Sequence, residues 1–570
     1  MSSVSLDVTG PAPDRREFLV WFSALGLGGT LFPGALWARM QEAPVTTAMV
    51  AEAEKLAGLS FSEEEREMMV DGLNGNRDAY EALRRQSVPN EVPPALHFEP
   101  QPAGTTPEVG DGPFAPSRPR GVVKPGSVEE VAFWPVTRLA ELVRTRQVSS
   151  EELTRMYLDR LERHGPTLEA VITLTPERAL RQARGADREI AHGRYRGPLH
   201  GIPWGAKDLL ATRGYPTTWG AMPFQAQEVD DDATVVRRLD DAGAVLVAKL
   251  TLGALAMGDY WFGGRTRNPW NPEQGSSGSS AGSAAATVAG LVGFSIGSET
   301  LGSIISPSTR TGATGLRPTY GRVSRAGAMA LSWSMDKLGP ICRSVEDCAL
   351  VLNAIHGADG RDPTARDVPF SWDGGAGLEG LRIGYVPEAY GGEEGTAAFD
   401  RAALGWFREA GVDLIPMDLP GDFPLGALRI VLSAEAAAAF DDLTRSGMDD
   451  DLVRQTPGSW PNAFRTARFI PAVEYIQANR VRTMVVGALH TAMQGVDVLI
   501  TPSFAEGVLL MTNLTGHPAV VVPNGFDEDR SPVSFSFIGG LWKEGAALRV
   551  ARAYQDGTGH HLLHPPLFGG

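Results

Sequence analysis

The chain predicts an α/β fold: a mixed, twisted β-sheet core covered by helices on both faces, with a small helical extension ahead of it. Three observations carry that prediction. Apolar runs of strand length occur at AVLVAKL (244–250), LRIGYVP (381–387) and DVLITPS (497–503). Segments with helical apolar spacing occur at SVEDCALVLNAIHG (344–357) and EGAALRVARAYQ (544–555). The two kinds alternate along a chain of 570 residues that is 43% hydrophobic and 21% charged, the balance of a globular protein larger than one typical domain.

The elements follow in order. Residues 1–40 contain paired Arg15 and Arg16, then Phe18 and Leu19, then a glycine-interrupted apolar run to Phe32. This resembles a twin-arginine export signal, and the run is shorter than the roughly 20 residues a membrane span needs. The expectation is a cleaved signal, a periplasmic or secreted product, and no membrane span after cleavage. Residues 46–86 read as a small helical unit, with Ser62 opening a run of acids. Residues 87–126 hold ten prolines and little periodicity, which predicts a linker or strap. Residues 127–570 form the main domain, entered through two helical patterns, the second opened by Ser149 and Glu152 at capping-box spacing.

Charge excludes one class of function. A nucleic-acid surface needs clustered Lys and Arg to neutralise phosphates, and a formal net charge of −16 runs against it, so nucleic acid is not an expected partner. Cys342 and Cys348 are the only cysteines, too few for a disulfide framework, and are expected as two buried thiols.

Several motifs fail their context. GAGLEG (375–380) precedes a strand-like run, whereas a dinucleotide loop follows one. GSSAG (278–282) has the spacing of a nucleophile elbow at Ser280 but no apolar strand leads into it. His560, His561 and His564 lack an acidic or cysteine partner at ligand spacing.

Three separated segments carry the chemistry: LHGIPWGAKDLLATRGYPTTWG around Lys207, RNPWNPEQGSSGSSAGSAAATVAG around Ser279, and GSETLGSIISPSTRTGATGLRPTYGRVS around Ser303. In this order they resemble the amidase signature family, serine hydrolases with a Ser, cis-Ser and Lys triad on an α/β fold. The resemblance runs from about Thr137 to the C-terminus. It implies Ser303 as nucleophile, Ser279 as the bridging cis-serine and Lys207 as base, with the two serines 24 positions apart as in the family.

The chemistry has its own logic. A serine hydroxyl needs a base, a lysine serves only when neutral, and burial disfavours its charged form. The Ser279 hydroxyl can accept a proton from one side and donate on the other, so Lys207 need not touch Ser303. Backbone N–H groups of Thr300, Leu301, Gly302 and Ser303 are the expected oxyanion donors. Two departures from the family pattern stand out. Leu301 replaces a glycine before the nucleophile, which raises steric resistance to positive φ. Glu299 and Ile305 replace the usual aspartate and arginine, which puts the loop's supporting ion pair in question.

The function expected from this reading is hydrolysis of a small-molecule carboxylic amide by an exported amidase that needs neither metal nor organic cofactor. Two alternatives stay open: a glutaminase-type component of an amidotransferase, and a catalytically weak amidase-like binding protein. Residues 391–490 fall in the family's most variable region and are expected to wall the pocket. Tyr260, Trp261 and Phe262 are candidates for an apolar wall near the leaving or acyl group.

Overall fold

The computed structural model describes residues 44–86, 95–96, 98–102, 104–107, 112–392 and 395–569. The expected export signal lies outside them. Among the described residues, no helix is long and apolar enough to cross a membrane.

The core is one eleven-stranded sheet. In chain order its strands are β1 (Val171–Leu174), β2 (Pro203–Lys207), β3 (Val245–Leu250), β4 (Phe294–Glu299), β5 (Thr314–Arg317), β6 (Lys337–Cys342), β7 (Ile383–Tyr385), β8 (Ile415–Pro416), β9 (Val498–Pro502), β10 (Ala519–Phe526) and β11 (Pro532–Gly539). In space the order is β8-β7-β9-β11-β10-β5-β6-β4-β2-β3-β1. The two flanks contain the parallel pairs, β2 with β3 and β4, and β7 with β8 and β9. The centre is antiparallel from β4 through β9. The sheet is therefore mixed rather than mostly parallel, because β10 and β11 are joined by a short hairpin and only the flanks use long helical crossovers.

Burial explains why these runs become strands. Every residue of β2, β3, β4, β6 and β9 is buried, as expected for strands covered on both faces. Such a strand can hold a charged lysine only beside a countercharge. Lys249 of β3 meets Asp208 at 2.7 Å, both side chains fully buried. Asp208 is thereby taken, and it also accepts from the N–H of Thr218 at 2.8 Å. The neighbouring Lys207 keeps no ion pair of its own among the described residues.

Two N-terminal helices, Thr47–Ala57 and Glu63–Arg84, lie within residues 46–86. Ser62 and Glu65 make a reciprocal capping box. Val50, Phe61, Met69 and Leu73 bury a small core between the two helices. The second helix then docks on the main domain through Tyr80 and Leu83, which join Leu428 and Val481. In the proline-rich stretch, Phe114–Ala115 pairs in parallel with Trp372–Asp373. Cys342 and Cys348 are both free and buried.

Candidate active site

The site follows from the sheet. β2 and β4 are parallel neighbours, so their carboxyl ends finish on the same edge. Lys207 is the last residue of β2, and Ser298 and Glu299 are the last two of β4. The chain leaving β4 carries residues 300–304 across that edge and then enters the helix Ile305–Thr311. The chain leading to the helix Ala281–Val288 brings Ser279 to the same place, with a cis peptide between Gly278 and Ser279. Close approach here needs a missing side chain. A Cβ on Gly297 would lie 2.8 Å from the Ser280 hydroxyl oxygen.

Lys207 is fully buried and surrounded by hydroxyls. Its Nζ lies 2.8 Å from Ser279 Oγ, 3.0 Å from Ser280 Oγ and 2.9 Å from Ser298 Oγ. Burial holds this amine well below the ordinary lysine range, and the negative charges of Asp336 and Glu299 offset only part of that effect. Ser280 donates its single hydroxyl proton to the Ser298 carbonyl at 3.1 Å and therefore accepts from Lys207. That bond and its full burial exclude Ser280 as a free nucleophile.

Ser303 is half-buried, and its carbonyl accepts the N–H of Ser280 at 3.2 Å. Its hydroxyl makes no hydrogen bond among the described residues, that of Ser279 included. The structure thus closes the lysine side of the expected chain and leaves the Ser279 to Ser303 side open. Unliganded sites commonly tighten this contact only when substrate is present. A second tie holds the two loops together: the Ser277 and Ser306 hydroxyls meet at 2.7 Å.

The segment GSETLGS (297–303) resolves into a donor strip. The N–H groups of Thr300, Leu301, Gly302 and Ser303 make no hydrogen bond among the described residues. Those of Ile304 and Ile305 are taken by Glu299 Oε2 at 2.8 and 3.0 Å. Unpaired donors on a largely buried strip are costly unless an acceptor arrives, which suits a site awaiting an oxyanion. Thr300 is held from the side by its hydroxyl, which donates to Asp336.

Both doubts raised by the departures are corrected here. The positive φ of the loop falls on Gly302, at 83°, while Leu301 is not among the positive-φ residues. Leucine is accommodated because its neighbour takes the left-handed conformation. The supporting ion pair also exists. Glu299 Oε1 accepts from Arg317 at 2.8 Å and from Asn513 at 2.9 Å, so strand β5 supplies the arginine that position 305 lacks. Sequence reasoning missed Arg317 and Asn513 because each lies far along the chain from Glu299. It also missed Ser298, whose only signal is its place two residues beyond Ile296 on the buried strand.

Two consequences are measurable. Gly302→Ala would put a Cβ on a left-handed residue, 3.3 Å from Leu509 Cδ2. With a conformational cost of about 1–2 kcal/mol and displaced donors, kcat is expected to fall on the order of 10²-fold with a smaller change in KM. Glu299 is held at about 2, against an ordinary 4.5, by the Arg317 guanidinium and its hydrogen bonds working against burial. Its contribution to stability is therefore complete above about 4.5 and is lost as pH falls toward 2. Glu299→Gln leaves Arg317 buried without a countercharge and should cost about 3–5 kcal/mol, read as a lower midpoint in urea and a flatter acid limb of the stability curve.

Trp261 is buried and packs edge-on against Phe262, with centroids 5.0 Å apart, whereas Tyr260 is exposed. The three expected wall residues therefore divide between core and surface. Among the described residues, no group of three or more His, Cys, Asp or Glu side chains is arranged to hold a metal ion.

Known proteins resemble this chain. The family model "Amidase" matches residues 152–511. The glutamyl-tRNA(Gln) amidotransferase A-subunit of Moorella thermoacetica is 34% identical over 485 residues, covering 77% of this chain and 99% of that protein. Its counterpart in Chloroflexus aurantiacus is 36% identical, covering 76% and 98%. The native peptide amidase of Stenotrophomonas maltophilia superposes with a TM-score of 0.67 at 32% identity, covering 78% of this chain and all of that one. With the family model spanning most of the chain and its relatives matched almost end to end, this protein belongs to the amidase signature family.

Proposed function

We propose that the protein is an exported amidase that hydrolyses a carboxylic amide through an acyl-enzyme on Ser303. The observation that carries this reading is the buried Lys207 amine, depressed in pKa and 2.8 Å from Ser279 Oγ. A neutral amine has two N–H bonds and one lone pair. With the N–H bonds directed at Ser280 and Ser298, the lone pair faces the Ser279 hydroxyl. Ser279 can then take the Ser303 proton while giving its own to Lys207.

Ser303 Oγ attacks the amide carbon and the oxyanion forms at the free N–H strip. As the C–N bond breaks, the proton held on Lys207 returns through Ser279 to the departing nitrogen. Water then cleaves the ester by the same route, releasing the acid and regenerating Ser303. The paired arginines and short apolar run near the N-terminus support export by a twin-arginine route, with a periplasmic or secreted product.

The test is a fluorophosphonate probe followed by peptide mapping, with turnover measured on aryl amides, aliphatic amides and amidated peptides. The expected result is a single adduct on Ser303 and burst release from at least one class. A probe that leaves Ser303 unmodified would favour an amidase-like binding protein.

The 34% identity to an amidotransferase component favours a second reading, a glutaminase that works with partners on aminoacyl-tRNA. The net charge of −16 and the signal-like start count against it. Co-purification with tRNA would revive it.

A further inference from the structure

The wall beside the Gly278–Ser279 peptide is a strained strip that presents a cation with no ion pair among the described residues. Leu255 and Ala256 hold φ of 49° and 64°, left-handed values that non-glycine residues keep only where the surroundings impose them. The surroundings do impose them: Leu255 N–H donates to the Trp219 carbonyl at 2.9 Å, and Trp460 Nε1 donates to the Leu255 carbonyl at 2.8 Å. The strip then presses the Gly258 carbonyl against Gly278, where a Cβ would lie 1.9 Å from that oxygen. Asp259 fixes the same loop by accepting the Ser277 N–H at 3.2 Å.

Tyr260 follows directly. It is 38% exposed, and two guanidinium groups flank its ring, Arg265 at 5.0 Å and Arg454 at 5.3 Å from the centroid. The two differ in charge balance. Arg265 is paired with Asp259 at 3.3 Å. Arg454 has no ion pair among the described residues, although its Nη1 lies only 3.9 Å from where a Cβ on Gly258 would sit. The acids preceding it do not serve it: Asp449 and Asp450 both bind Arg465, at 2.8 and 2.9 Å, and Asp451 forms no ion pair among the described residues. In a chain of net charge −16, such a cation stacked beside the serine segment gives an anion a local attraction that the net charge does not.

Proton transfer decides which half of the substrate meets it. The departing nitrogen is protonated through Ser279, so the leaving amine lies on the Ser279 side. The flank along the oxyanion strip is aliphatic: Leu509 lies against Gly302, and Leu301, Leu425, Ala505 and Leu509 all pack against one buried apolar cluster. We infer that the preferred substrates are amides with an apolar acyl group and a carboxylate on the leaving amine, the class of N-acyl amino acids, whose carboxylate is read by Arg454 on Tyr260. This rests on the Ser303 acyl-enzyme reading. In the first step Ser303 Oγ bonds to the acyl carbon, the C–N bond breaks and the nitrogen takes the relayed proton, leaving a free amino acid. Water then releases the fatty or other apolar acid.

The test compares N-decanoylglycine with N-decanoylethanolamine, which share the acyl chain and differ in the carboxylate. The wild type is expected to favour the glycine conjugate in kcat/KM by about tenfold or more, the equivalent of one charge contact. High salt should shrink the preference, Arg454→Gln should bring the ratio near one, and Arg454→Glu should invert it. A loss of structure alone would lower both rates without inverting their ratio. A wild-type ratio at or below one, or a ratio unchanged in both variants, overturns the inference. So does hydrolysis of neither conjugate while Ser303 still takes the fluorophosphonate label. Absence of that label would instead overturn the acyl-enzyme reading itself.

Discussion

Ser303→Ala is expected to remove burst acylation and to lower kcat on the order of 10⁶-fold, leaving only what binding and the oxyanion donors contribute. The reason is that no other hydroxyl in the site is free to replace it. Ser280 is committed to the Ser298 carbonyl, and the Ser277 hydroxyl to that of Ser306. Ser279 faces Lys207 and is held by the segment that presses on Gly258. The substitution removes one half-buried oxygen, so the thermal midpoint should move little while the rate collapses. Stopped-flow release of an aryl amine, with mass spectrometry of the quenched enzyme, reads both the burst and the adduct.

Lys207→Met is the second large effect, expected at about 10³-fold in kcat/KM, within the roughly 10²–10⁴-fold range of a lost general base. Methionine fills much of the volume without a proton to exchange. Its consequence for stability has the opposite sign. Between its depressed folded value and about 10.5, the unfolded chain binds a proton on this amine and the folded chain does not. Lys207 therefore costs stability, by an amount that grows as pH falls from about 10.5 to its depressed folded value. Removing the amine abolishes that cost but leaves the hydroxyls of Ser279 and Ser298 short of a partner, so the net change in folding stability should be small. A rate loss of three decades in a protein that stays folded is the signature of a base rather than of a structural lysine.

The sequence makes the outline of this site legible because its parts are local motifs. GAKD at the end of a strand, GSSAG at the start of a helix and GSETLGS running off the end of a strand each carry their backbone geometry in their small residues. What escapes is whatever depends on the register of distant strands. The partner of Glu299 is legible only once β5 is seen to lie beside β10 and the helix Val508–Leu514 is in place, which brings Arg317 and Asn513 to one carboxylate. The antiparallel centre of the sheet escapes for the same reason, since buried strands in parallel and antiparallel pairs read as similar apolar runs. Tyr260, Trp261 and Phe262 look equivalent in a list of residues. The fold separates them by turning Trp261 inward and setting Tyr260 against two arginines.

The central claim is that an uncharged lysine amine drives acylation, and the pH dependence of fluorophosphonate labelling at Ser303 reaches it without reference to any substrate. In the wild type the second-order rate should climb through an inflection far below 10.5, reach a plateau, and lose that inflection when Lys207 is replaced by Met. A wild-type rate that rises only near the ordinary lysine value, or a profile that Lys207→Met leaves unchanged, would contradict it.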